Sequence, residues 1–464
     1  CEFFKTWIMK YTLTFLLLIY AFTCKSQVAP QYIQDGLQAI LDNSLPSDPN
    51  PGAVLTVYVP GQWTWSGASG YAISGETMGT SATLAQPSDY FRVGSISKTF
   101  ASVCILQLEE AGLLNIDDTI GLYLRPTLVN DTIQSSTPVS IRQLLTHTSG
   151  IANSADNITC QQDALSDLTR FFSIEENIEC GASQGEMFNP GSSWYYSNTN
   201  YAILAMIVQN VTGQDYWNYV SDSIITPTGL SNTLIPTTDE IQGSYMGCYW
   251  DLGGMTIDMS IVDPSLYKGW AEMVSTTSDL TLYFEALNNG ELIHDTTFAK
   301  MLTINAPATY YSLGLEQYHT ALLDSWGHSG SVGNTSGMFF VDISTSDFPD
   351  GYYIAYNHTY EGVDIYNQMD VPILNFMYNY AVDVNKEQKD KFQIYPNPSN
   401  GFFTVSTDQE IYAIEFFNLT GEIIANYTNI QKQRSFNLTE FPNGIYLYRI
   451  STGDLTSQGK IIIR

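Results

Sequence analysis

The apolar pattern along the 464 residues predicts an α+β fold. Strand-like alternation flanks a long helical middle, and a shorter, strand-rich tail follows it. A step in charge separates the two parts. Residues 27–383 carry 38 acidic side chains and seven basic ones, whereas residues 390–464 carry seven acids and six bases. Hydrophobic residues make up 44% and aromatics 13%, enough for a sizeable core, so wholesale disorder is excluded. The expected organisation is a signal peptide over 1–26, a main domain over 27–383, a linker over 384–391 and a small sandwich over 392–464.

Each element has a local reason. Met9-Lys10, the better start, precedes an apolar run from Tyr11 to Thr23 and a small residue at Ser26, the pattern of a cleaved signal peptide. That run is too short to span a bilayer, so no integral membrane segment is expected after cleavage. Gln34 to Asp42 reads as a helix, and Ala53–Val59 and Trp63–Tyr71 as strands around Pro60-Gly61. Helical stretches follow at Ser95–Gly112, Ile141–Thr146, Ala164–Phe172 and Asn200–Gly213. Strands return at Gly337–Val341 and Tyr352–Tyr356, which predicts one sheet completed by both ends of the domain. Val384 to Lys391 is polar and charged, as a linker should be. The tail alternates in short runs, Gly401–Ser406, Ile411–Phe417, Glu422–Tyr427 and Gly444–Ile450, divided by turn dipeptides, which predicts an antiparallel sandwich.

Composition also excludes function classes. With 18 Lys+Arg against 47 Asp+Glu the net charge is -29, so nucleic acid and anionic lipid should be repelled. The surface acid reads as solubility rather than as a binding site. H-E-x-x-H, C-x-x-C, P-loop and G-x-G-x-x-G patterns are missing, and the five histidines lack metal-ligand spacing, so no metal or cofactor is expected. Export leaves four cysteines. Cys160 and Cys180 flank one acidic, loop-like segment and are a candidate disulfide. Cys104 reads as a buried free thiol, and Cys248 has no evident partner.

Nucleophilic catalysis remains. S-x-x-K occurs at Ser95–Lys98, Ser265–Lys268 and Ser457–Lys460, so the bare pattern decides nothing. Ser95 alone opens a helix, where free N–H groups and the dipole favour an oxyanion, with Lys98 one turn on along the same face. The plain alternative is an N-cap serine with a solvated lysine. Downstream, Tyr196-Ser197-Asn198 presents a phenol and an amide on one turn, and Gly327-His328-Ser329-Gly330-Ser331 holds the one H-x-G of the chain.

In this order, together with Leu144-Leu145-Thr146-His147-Thr148-Ser149-Gly150 and Val274-Ser275-Thr276-Thr277-Ser278-Asp279, these residues resemble the class C β-lactamase and D-alanyl-D-alanine carboxypeptidase family of serine hydrolases. The resemblance covers roughly residues 30–380. It implies a β-lactamase/penicillin-binding-protein-like fold with Ser95 as acylated nucleophile and Lys98 and Tyr196 as its activators. It also implies Asn198, His328, Ser329 and Gly330 in substrate binding, and an oxyanion hole from the N–H groups of Ser95 and Ser331. Either Lys98, if desolvated, or Tyr196, if held as phenolate by a buried ammonium, could take the serine proton. His147 lies in a stretch the family uses structurally.

His328 stands where β-lactamases carry lysine, which implies weak β-lactamase activity at most. D-alanyl carboxypeptidase or D-aminopeptide hydrolase, carboxylesterase and a silent binding scaffold stay open. In the tail, Phe392-Gln393-Ile394-Tyr395-Pro396-Asn397-Pro398, Phe441-Pro442-Asn443-Gly444 and Lys460 to Arg464 resemble a type IX secretion sorting domain. That resemblance implies the type IX machinery as partner and a secreted or cell-surface location, with a small-molecule or peptide substrate.

Overall fold

Along the strand Gly52–Val59 (β1), Ala53, Leu55, Val57 and Val59 enter one apolar cluster while Val54 enters another. Successive side chains of a strand point to opposite faces, so this sheet is covered on both. The computed structural model describes residues 27–45, 51–73, 82–251, 256–319, 323–343, 348, 350–361, 366–382, 392–407, 411–418, 422–430, 433–452 and 456–464. The signal peptide and the linker predicted above lie outside the described residues.

Helix Gln31–Asn43 (α1) precedes β1, and Trp63–Ile73 (β2) pairs antiparallel with β1. The helices Ser97–Glu110 (α2), Ile141–Leu145 (α3), Ile158–Ser166 (α4), Ile174–Ala182 (α5), Asn198–Thr212 (α6) and Thr277–Asn288 (α7) follow. The sheet resumes with Glu316–His319 (β3), Asp324–Gly330 (β4), Thr335–Val341 (β5) and Tyr352–His358 (β6), and Val371–Val382 (α8) closes the domain. Its spatial order is β2-β1-β6-β5-β4-β3, with Gln27–Val28 beyond β2. Tyr353 opposite Tyr58 and His358 opposite Ala53 join the two ends of the domain, as the strand pattern predicts.

Apolar residues of α1 and α8, such as Leu37, Ile40, Ile373 and Met377, pack on one face. On the other, α2, α6 and α7 supply Phe100, Ile105, Ile203, Leu204 and Phe284. Helix α6 is buried almost all round, as its nearly unbroken apolar sequence requires.

The segment between Cys160 and Cys180 is not the loop its acidity suggested. Both cysteines lie in helices, α4 and α5, and Phe172, expected to end a helix, lies between them. Local capping supplies what apolar periodicity did not. The Asn157 side chain accepts from the Thr159 and Cys160 N–H groups, and Ser173 with Glu176 forms a capping box. The predicted disulfide bridges the two helices with Cα atoms 6.0 Å apart. Cys104 and Cys248 are buried free thiols.

The tail forms a three-stranded and a four-stranded sheet around Phe403, Val405, Ile414, Phe416 and Phe436. It also meets the main domain. Ile445 is buried within the α1 cluster, Lys460 Nζ donates to the Tyr32 carbonyl at 3.0 Å, and Arg464 pairs with Asp35 at 3.7 Å.

Candidate active site

Ser95 sits in a tight turn, Gly94–Ile96, immediately ahead of α2. Gly94 has φ +58°, and a Cβ there would lie 2.4 Å from the Ser331 amide nitrogen. Only glycine permits both the conformation and the approach. Two further bonds tie this segment to the β4–β5 hairpin: Ser336 Oγ to Val93 O at 2.9 Å and Asn334 Nδ2 to Arg92 O at 2.7 Å. The amides of Ser95 and Ser331 are thereby brought close together.

Lys98 is fully buried, which removes the solvated-lysine alternative. Its Nζ donates to Ser95 Oγ at 2.8 Å and to the Trp270 carbonyl at 3.1 Å, and lies 4.9 Å from the Tyr196 ring centroid. At Tyr196 burial raises the titration, and Ser95 lowers it by a smaller amount. Burial dominates both titrations. It pushes the Lys98 ammonium well below its ordinary range, opposed by Glu272 and Glu316, and pushes the Tyr196 phenol well above its own. Burial therefore acts toward a neutral amine at Lys98 and a protonated phenol at Tyr196.

The turn carrying Tyr196 and Asn198 is held from behind by His147, whose Nδ1 accepts from the Ser197 N–H at 3.1 Å. Its ring lies 4.3 Å from that of Tyr196, and burial, with Lys98 and His328 nearby, keeps it well below the usual imidazole range. That is a support role, as expected. Asn198 opens α6, buried, with its Oδ1 lacking a partner among the described residues.

His328, Ser329 and Gly330 run along β4 beside Ser95, but the His328 ring lies beneath the opening. It is 1% exposed, with Nε2 2.9 Å from the Tyr311 hydroxyl and Nδ1 2.5 Å from the Ser329 carbonyl. Burial lowers its titration, so it supplies no fixed cation.

Four residues around this centre, three of them buried and Trp270 partly so, escaped sequence reasoning. Tyr311 holds His328, Trp270 holds Lys98, Glu272 acts on Lys98 electrostatically, and Glu316 binds Ser329. Burial pushes the Glu272 carboxyl up to about 7. None of the four stands in a recognisable motif, and only the fold brings them together.

The family model Beta-lactamase matches residues 37–364, well over half of the chain. This chain belongs to the β-lactamase family. A second model, the secretion system C-terminal sorting domain, matches residues 393–464 of this β-lactamase-family protein and indicates export by the type IX system to the cell surface or medium.

Protein flp of Staphylococcus aureus (strain COL) is 26% identical over 313 residues, 66% of this chain and 56% of its own. The putative penicillin-binding protein PbpX of Bacillus subtilis (strain 168) is 29% identical over 226 residues, 48% of this chain and 53% of its own. The chain thus spans little more than half the length of the curated relatives it matches.

Among solved structures, a D-stereospecific amidohydrolase from Streptomyces sp. aligns with TM-score 0.60 and 26% identity, over 70% of this chain and 93% of that one. A D-amino acid amidase from Ochrobactrum anthropi SV3 aligns with TM-score 0.58 and 21% identity over 71% and 91%, a likeness of fold.

Proposed function

We propose that this exported protein is a serine hydrolase that cleaves amide or ester bonds of D-amino-acid compounds through an acyl-enzyme on Ser95. The observation that carries the proposal is the 2.8 Å hydrogen bond between Ser95 Oγ and the desolvated Lys98 amine. A serine hydroxyl needs an adjacent base to become a useful nucleophile, and a neutral amine at this distance is one.

Lys98 Nζ takes the hydroxyl proton as Ser95 Oγ attacks the carbonyl carbon. The amides of Ser95 and Ser331 receive the developing oxyanion, an interaction worth most where water is excluded. Tyr196, kept protonated by burial, donates toward the leaving group and is reprotonated from Lys98. Water then repeats the cycle on the ester. Asn198, buried at the start of α6 with its Oδ1 lacking a partner among the described residues, is assigned to substrate binding in this reading.

Support for the D-amino-acid class comes from the likeness to the Streptomyces D-stereospecific amidohydrolase, 26% identical to this chain. A D-aminopeptide hydrolase or amidase fits the buried His328 better than a β-lactamase does, since no lysine faces the substrate there.

The test is intact mass of wild type and Ser95→Ala after brief exposure to an uncharged activated ester, with turnover of D-alanine p-nitroanilide alongside. A single acyl adduct on wild type alone is expected, with turnover lower in the variant by roughly 10⁶-fold. Equal turnover by Ser95→Ala would overturn the assignment, and an inert wild type would leave a binding scaffold.

A further inference from the structure

Glu316 begins β3, opposite Gly327 of β4, and its side chain reaches forward along the β4 edge. Its Oε2 accepts the Ser329 N–H at 2.8 Å and the Tyr318 hydroxyl at 2.8 Å, and Ser329 Oγ donates to Oε1 at 3.3 Å. His328 Nδ1 lies 4.0 Å from Oε2. The residue is 7% exposed.

Alternate amides of an extended strand face the same edge, about 6.6 Å apart. The Ser329 N–H, covered by Glu316, and the Ser331 N–H, beside Ser95, therefore mark successive steps along one edge. A carboxylate stands one step from the point where the acyl carbonyl would sit.

Nothing offsets it. Six of the seven basic residues between 27 and 383 are committed elsewhere. Arg92, fully buried, donates to the carbonyls of Asp239, Ser260 and Val262. Arg125 pairs with Glu175, Arg142 with Asp117, Arg170 with Asp163 and Glu176, Lys268 with Asp215, and Lys300 with Glu109. The seventh is Lys98, held by Ser95 and Trp270.

We infer that Glu316 is a specificity-determining residue that selects substrates with a neutral or cationic group beside the scissile carbonyl and rejects those with a carboxylate there. This rests on the hydrolase reading above and narrows it. In a C-terminal D-dipeptide the free carboxylate lies one residue from the scissile carbonyl, on the side of the Ser329 N–H that Glu316 covers, and like charges there repel. Carboxamides, esters and ammonium-bearing amides escape that repulsion. The substrate class is then amidated or internal D-peptides and D-amino-acid amides, not free C-terminal D-dipeptides.

The test compares kcat/KM for N-acetyl-D-alanyl-D-alanine, its C-terminal carboxamide and N-acetyl-D-alanine 2-aminoethylamide, on the full chain. The wild type is expected to favour the carboxamide over the free acid by at least about tenfold, with the cationic amide no worse than the carboxamide. Glu316→Gln should shrink that ratio toward one, chiefly by improving the free acid, an outcome that a merely structural role would not produce. Should Glu316→Gln fail to fold, the wild-type ratios decide alone. Equal or better hydrolysis of the free acid by wild type, or an undiminished ratio in a folded Glu316→Gln, overturns the inference while the hydrolase reading stands. Inertness to all three substrates, with no Ser95 acylation by an uncharged activated ester, overturns that reading and this inference with it.

Discussion

At Lys98 the decisive quantity is solvation. An ammonium fully buried beside a serine hydroxyl and a backbone carbonyl, with no carboxylate in salt-bridge contact among the described residues, loses its proton more readily than in water. The nearby Tyr196 phenol moves the opposite way for the same reason. In the proposed mechanism these opposite shifts make Lys98 the acceptor and Tyr196 the donor, and they predict a pH profile. Activity should climb as pH rises through the lowered Lys98 titration, because the protonated amine cannot accept. It should not fall at neutral pH through Tyr196, whose phenol stays protonated past its usual range. Tyr196→Phe should keep the acid limb at reduced kcat, and Lys98→Ala should abolish both limb and most turnover, by roughly 10³-fold or more. Steady-state kinetics from pH 5 to 10 on the three proteins checks this. An acid limb surviving in Lys98→Ala would reassign the base.

At the scale of elements, helices α4 and α5 begin at the side-chain caps of Asn157 and Ser173, and α5 buries Ile174, Ile178 and Ala182 along one face. The Cys160–Cys180 bridge joins them across 20 residues of sequence. A loop of that length, closed in the unfolded chain, should contribute about 3 kcal/mol. The double variant Cys160→Ser/Cys180→Ser should therefore melt several degrees lower, by differential scanning calorimetry, with hydrolysis at low temperature retained, since neither cysteine touches Ser95, Lys98 or Tyr196. The turn at Gly94 is the opposite case, an element defined by one residue. Gly94→Ala should fold poorly or lose most turnover, because its Cβ would wedge between Ser95 and the Ser331 amide. Circular dichroism beside ester hydrolysis separates the two results.

For the whole molecule, the main domain is acidic and the tail is near neutral, and each has its own apolar core. Their contact through Ile445, Lys460 and Arg464 falls on α1, on the sheet face opposite α2 and its serine. A chain ended after residue 391 should therefore fold and hydrolyse substrate like the full protein, at a stability cost of about 1–2 kcal/mol for uncovering α1. It should no longer reach the cell surface. Turnover of the purified truncation and fractionation of expressing cells check the two halves of that prediction.

Sequence patterns alone determined the α+β class, the sheet closed by both ends of the main domain, the strand-rich tail and the proximity of Ser95 to Lys98, while the tail's export role came from its resemblance to sorting domains. Those features are local. Period-2 and helical patterns act over a few residues and turn dipeptides over two, and a serine just ahead of a helix lies one turn from a lysine three residues on. The helices at Cys160 and Cys180 were misread because the acidic composition outweighed the caps at Asn157 and Ser173 and the short apolar row Ile174, Ile178 and Ala182. Only the tertiary structure decided what burial does to charge. Glu316 lies 13 residues before Ser329 and Trp270 lies 172 beyond Lys98, so neither contact exists until β3 pairs with β4 and the helices pack. Electrostatics in a dry cleft depends on which groups the fold desolvates together, and linear spacing does not carry that information.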